Sequence, residues 1–260
     1  MRSCRAALVV ASALGMRLSA QDLAKRVTAS DGIVNVIYPS RSSACGDGRS
    51  FIQNVLGDIR YDSGDATWAS RNGANVVNCV HGPARVAATV IDGEVTRLRL
   101  YVGPVRDLPA DARSITVTAA EAADWLGGLV SRGQSRVASS AILPLVTADA
   151  PDPWPLLLRV ARDDGRPRDV RKSSLTWLSF GVTNHLGLSN VDERGSDDDD
   201  LRSQAVFVLS QRPKSESVPE LIDLAKTAKH PAARKAAIFW LGQSGDLRAA
   251  DVYAELLGIR

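Results

Sequence analysis

The chain repeats itself at a spacing of 64 residues. Ala141–Leu145 places alanine and leucine as Ala205–Leu209 does. Trp154-Pro155-Leu156-Leu157-Leu158 aligns with Val218-Pro219-Glu220-Leu221-Ile222 at the same offset, and Pro167 aligns with Pro231. Arg171-Lys172-Ser173-Ser174-Leu175-Thr176-Trp177-Leu178 aligns with Arg234-Lys235-Ala236-Ala237-Ile238-Phe239-Trp240-Leu241 at an offset of 63, so a turn has gained one residue. Within each copy, helix pairs recur about every 30 residues. A unit of this size cannot cover its own apolar face, so stacked copies bury one continuous core.

The second copy shows the helices most clearly. Leu201–Gln211 is apolar at Leu201, Ala205, Val208 and Leu209, one helical stripe. Val218–Ala228 carries the same stripe, and Ser217 with Glu220 forms a capping-box pattern at its start. Pro231 suits a first helical turn. Ala236–Leu241 is apolar all round, as in a helix covered on several sides. Gly242 is the expected stop, and Asp246 the expected cap of a last helix over 247–257.

These residues resemble HEAT repeats of the short bacterial kind. The likeness lies in Pro167-Arg168-Asp169-Val170-Arg171 followed by a Trp-Leu helix, in Pro231-Ala232-Ala233-Arg234, and in the Gly245-Asp246-Leu247-Arg248 turn. It runs from Val137 to Gly258, nearly half the chain. The resemblance implies a non-catalytic scaffold with a protein or peptide partner. It also implies that polar residues on the second helix of each pair line a binding face. Here those are Arg159, Arg162, Asp223, Lys226 and Tyr253. Trp177 and Trp240 occupy matching positions and belong to the core, whereas Trp154 is expected half-exposed beside its prolines.

Ahead of the repeats the pattern changes. Residues 1–20 have the form of a secretory signal: Arg2 and Arg5, then apolar Ala6–Leu14, then Leu18-Ser19-Ala20 before Gln21. The apolar run is too short for a spanning helix, and no integral membrane span is expected. Removing these residues takes away three arginines and no acid, leaving 29 basic against 29 acidic residues. The basic footprint of a nucleic-acid binder is then absent. Export to the periplasm or outside the cell leaves two cysteines, Cys45 and Cys79, and an oxidising compartment favours their disulfide.

Period-2 alternation marks Ile33–Tyr38, Ala84–Ile91 and Glu94–Val102 as strands, the last two joined at Asp92-Gly93 in a tight hairpin turn. Thr96, Leu98, Leu100 and Val102 are the expected core side of the last strand; Arg97, Arg99 and Tyr101 face water or a partner. Asn75–Val80 and Arg113–Val117 are expected as further short strands. Thr118 and Glu121 form a second capping box, opening a helix that buries Trp125, Leu126, Leu129 and Val130. Asp152 is expected to cap the next helix, with Pro153 at its first position. The fold class is therefore α+β: a signal at 1–20, a β-rich module with a disulfide at 21–117, and a HEAT-like solenoid at 118–260.

Chemistry-bearing groups are sparse. His81, His185 and His230 share no metal-ligand spacing, and the Asp197–Asp200 run lacks the spaced oxygens and turning glycine of a calcium loop. No cofactor or metal is expected. The reading that follows is an exported, non-enzymatic interaction scaffold. The alternative is a hydrolytic enzyme, with Asp47 and His81 converging in the β-rich module or at its junction.

Overall fold

Asp92 and Gly93 both sit at positive φ, 53° and 73°, the backbone of a two-residue hairpin turn. In the computed structural model they join strand β5 (Ala84–Ile91) to β6 (Glu94–Val102). The structure describes residues 20–49, 51–53, 60–62, 79–105, 108, 112–189, 191 and 197–259. β1 (Gly32–Tyr38) pairs antiparallel with β5 and parallel with β7 (Arg113–Thr116), giving the order β6-β5-β1-β7. A smaller sheet holds β2 (Cys45–Gly46), β3 (Phe51–Gln53) and β4 (Arg60–Asp62). Cys45 is bonded to Cys79, Cα to Cα 5.1 Å. Most of the expected Asn75–Val80 strand lies outside the described residues; Val80 itself bridges Gly46.

Alternation along the main sheet buries Val34, Val36, Tyr38, Val86, Ala88, Leu98, Leu100, Val102 and Ile115. Thr96 breaks that rhythm. Val90 pairs with Val95 and Thr89 with Arg97, so Thr96 is the extra residue of a bulge. It is exposed, its hydroxyl donating to the Thr89 carbonyl, because an extra residue reverses the side to which its neighbours point. Tyr101 lies beneath the buried Arg85 guanidinium, 3.8 Å from its ring centre, and Arg85 donates to Asn35 Oδ1.

Helices α2 (Ala119–Arg132) and α3 (Ser135–Thr147) lie against the main sheet, and α1 (Ala20–Val27) packs on α2. Thr118 and Glu121 cap α2 reciprocally, at 3.2 Å from the Glu121 amide and 2.8 Å from the Thr118 amide. Tyr38, fully buried, donates its hydroxyl to the Pro144 carbonyl of α3 at 3.0 Å; burial drives its pKa far above the phenol range. One hydrophobic core runs without a break from Leu23 through the sheet to Tyr253.

The remaining helices are α4 (Trp154–Arg162), α5 (Arg168–His185), α6 (Asp197–Ser210), α7 (Lys214–Thr227), α8 (Pro231–Ser244) and α9 (Arg248–Leu257). Several local expectations are corrected, among them Trp240, half-buried instead of in the core, and Asp246, which leaves the cap position of α9 to Leu247. Asp152 does not cap α4; Pro153 holds the cap position and Asp152 pairs with Arg41 at 3.1 Å. Trp154 is buried, because Gly181 of α5 leaves its ring room: a Cβ there would lie 2.9 Å from the indole. Helix α7 starts a turn before Ser217, where the Pro213 carbonyl accepts the Glu216 and Ser217 amides. Ser217 is therefore buried inside the helix instead of capping it. Helix α8 runs on through Gly242 and ends at Gly245, whose φ of 64° is the left-handed stop.

The duplication is visible in single bonds. Arg171 Nε donates to the Ala161 carbonyl at 3.3 Å, tying α5 to α4; Arg234 Nε donates to Ala225 at 2.9 Å, tying α8 to α7. The copies do not follow one another along the stack, however. Helix α8, not α6, lies against α5, and α6 lies beyond α8. One row therefore reads α3-α5-α8-α6 and the other α2-α4-α9-α7. Ser189 and Val191, which follow α5, lie beside α8. Lys235 of α8 donates to their carbonyls at 3.3 and 2.8 Å.

Candidate interaction face

Charge alternates across the row α4-α9-α7. Arg162 of α4 donates to Asp251 of α9 at 2.7 Å, and Lys226 of α7 donates to Glu255 of α9 at 2.5 Å. Arg162 and Lys226 are equivalent positions of the duplication, 64 apart. One turn earlier on each helix stand Arg159 and Asp223, also equivalent. Both are exposed and form no ion pair among the described residues. Exposed pairs of this kind contribute about 0–1 kcal/mol each. They arrange the side chains without committing them, and a partner's charges can replace either member.

Four of the five residues expected on a binding face are thus brought to one surface. Tyr253 is not among them. It points inward from α9, is fully buried, and donates its hydroxyl to the Ile238 carbonyl at 2.6 Å. Burial raises its pKa well above the phenol range, opposed by a backbone hydrogen bond at Gly242. Its place follows from packing: Gly242, without a side chain, lets the Tyr253 hydroxyl close in on α8. Asp251 and Glu255 were not expected in the face. Their signal was present as two carboxylates one helical turn apart, the spacing that puts both on one side of a helix.

The family model of HEAT repeats matches residues 191–258. These residues are HEAT repeats. No curated protein and no solved structure matches the chain. The HEAT segment supplies α7, α8 and α9, hence Asp223, Lys226, Asp251 and Glu255 of the face; Arg159 and Arg162 come from α4 before it.

Outside the HEAT segment, an open groove of about 790 Å³ is lined by Tyr38, Pro39, Ser40, Arg41, His81 and Pro83, among others. His81 is in it, but Asp47 is not. His81 Nδ1 lies 3.0 Å from the Ala44 carbonyl, while Asp47 Oδ1 accepts the Arg49 amide within its own loop. Asp47 and His81 therefore do not share this groove. Other polar groups of the groove hold structure: Ser40 donates to the Gly82 carbonyl at 2.7 Å, and Arg41 donates to the Val146 and Ala150 carbonyls. His185 ends α5 and His230 precedes α8, both exposed. Asp198 and Asp199 pair with Arg202 inside the first turns of α6. Among the described residues no group of three or more potential metal ligands gathers.

Proposed function

We propose that the chain is an exported interaction scaffold that binds a protein or peptide across the α4-α9-α7 face. The observation carrying this reading is the pairing of Arg162 and Lys226 with one helix, which leaves Arg159 and Asp223 exposed beside them. HEAT repeats generally mediate protein interaction, which favours a protein over a small molecule. The groups on offer have both signs, so the complementary partner surface carries both signs too. The acid–base balance of residues 21–260 argues against a nucleic acid.

Export is supported by the charged start and short apolar run of residues 1–20 and by the Cys45–Cys79 bond. No helix among the described residues is long and apolar enough to cross a membrane. In this reading 21–117 is a β-rich module and 118–260 the helical stack, with α2 and α3 serving both because they also cover the sheet.

Affinity capture tests the proposal, with the full chain and an Arg159→Glu/Asp223→Lys variant as parallel baits against envelope and medium fractions. The reading expects a protein retained by the first and lost from the second. Retention by both baits, or by neither, contradicts it.

A further inference from the structure

The equivalent faces of α3 and α6 meet different fates. On α3, Val137, Ala141, Pro144 and Leu145 are buried, and the helix lies against β5 and β6 of the main sheet. The positions 64 residues on are Leu201, Ala205, Val208 and Leu209 of α6. Among the described residues helix α6 packs chiefly on α7 and α8, which cover Val206 and bring the Phe207 ring to 5.0 Å from a Trp240 ring. Leu201 is left 67 % exposed and Val208 56 %, with Ala205 exposed between them. An apolar stripe at i, i+4 and i+7 is thus bare at the end of a helical stack, where terminal units ordinarily turn a polar face outward.

We infer that this stripe is the contact between two copies of the chain, their α6 helices packed antiparallel across a two-fold axis at Ala205. A two-fold contact needs a self-complementary surface, and α6 has one. Its centre is the small Ala205, which lets the helices approach, with Leu201 and Val208 on either side. Its ends carry opposite charge: Asp198 and Asp200 at the start, Arg212 just past the finish, all exposed. Asp200 and Arg212 form no ion pair among the described residues. With Ala205 opposite Ala205, an antiparallel pair sets Asp198 and Asp200 of each copy beside Ser210–Arg212 of the other. The attraction is therefore made twice, while a parallel pair sets aspartates against aspartates. A single helix pair buries on the order of 1,000 Å² in total, the low end of specific interfaces, so the dimer exchanges with monomer.

Sedimentation velocity of the full chain, from roughly 1 µM to a few hundred micromolar, brackets that strength. The inference expects a concentration-dependent dimer. Leu201→Glu/Val208→Glu should stay monomeric throughout with unchanged circular dichroism and melting, since both side chains are exposed in the monomer. Arg212→Glu should weaken association by roughly three- to tenfold, two rim ion pairs being lost. Adding Asp200→Lys should restore it, because the reversed pair is again self-complementary. A chain monomeric at every concentration, a dimer indifferent to Leu201→Glu/Val208→Glu, or a stripe covered only when a different protein is added would each overturn the inference. None of these outcomes bears on the α4-α9-α7 face, which lies on other helices.

Discussion

Arg162 and Lys226 grip the same helix from two sides. They are equivalent residues of a duplicated sequence, yet Arg162 reaches Asp251 and Lys226 reaches Glu255, both on α9. This works only because the second copy is turned so that α8 and α9 enter between the helices already laid down. A sequential solenoid would set α6 and α7 against α5 and α4 and leave α9 at the outer end.

The two arginine clamps are structural and should behave alike. Arg171 and Arg234 each donate to a carbonyl in the last turn of the preceding helix, which has no partner of its own within that helix. Replacing either by Met keeps the aliphatic stem and removes the donor. Each change is expected to lower unfolding stability by about 1.5–3 kcal/mol, as for a charged hydrogen bond. Urea unfolding measures it, and a cost below a few tenths would show the clamps to be idle.

Gly242 and Gly245 differ in what an alanine would cost. A Cβ on Gly242 would sit 2.9 Å from the Tyr253 hydroxyl and 3.0 Å from the Leu175 carbonyl, between packed helices. Gly242→Ala should cost about 1–3 kcal/mol through overpacking. At Gly245 the nearest atom is a flexible Lys172 carbon at 3.4 Å, and only the positive φ resists. Gly245→Ala should cost about 1 kcal/mol. Thermal melts of the two variants should rank in that order.

Acid should loosen the α8–α9 turn. Asp246 is held below the usual carboxylate range, chiefly by the Arg248 side chain, with the Arg248 amide adding to it. A lowered folded pKa means that the unfolded chain takes up the proton first. The stabilisation is present above the unfolded value, about 3.9, and is lost as pH falls through the folded one. Asp169, lowered by the Ser135 hydroxyl, adds in the same direction. Melting temperature should fall steeply below about pH 4, and less steeply in Asp246→Asn. Leu247, not Asp246, holds the cap position of α9, and Asp246 Oδ1 accepts the Arg248 amide at 3.0 Å; at neutral pH Asp246→Ala should cost about 0.5–1.5 kcal/mol, the range for a lost hydrogen bond. Equal acid slopes in wild type and Asp246→Asn would remove Asp246 from the account.

The disulfide closes a span of 34 residues. Loop entropy assigns it about 3–4 kcal/mol, so Cys45→Ser/Cys79→Ser should melt markedly lower than the oxidised chain. An unchanged melt would mean that the bond constrains nothing in the unfolded chain.

Local signals were legible wherever neighbours in sequence are also neighbours in space. Thr118 with Glu121, the Asp92-Gly93 turn and the buried Trp177 all stand where periodicity and capping chemistry put them; Trp240, its match, is only half-buried. Periodicity shows which side of a helix is apolar but not what covers it. Hence Leu201, Ala205 and Val208, a stripe like any core stripe, lie bare, and Tyr253, polar at its tip, lies inside. The Ser217–Glu220 pattern lost to Pro213 because a proline just ahead of a helix presets its entry. The order of helices in the stack depends on contacts between residues far apart in the chain, and no local pattern encodes it.

The most direct test of the central claim is hydrogen exchange on the full chain with and without its captured partner. The account predicts slowed exchange in 154–162, 214–227 and 248–257, the three helices of the charged face, with β5 and β6 unchanged. Protection confined to the β-rich module, with those three helices unaltered, would contradict it.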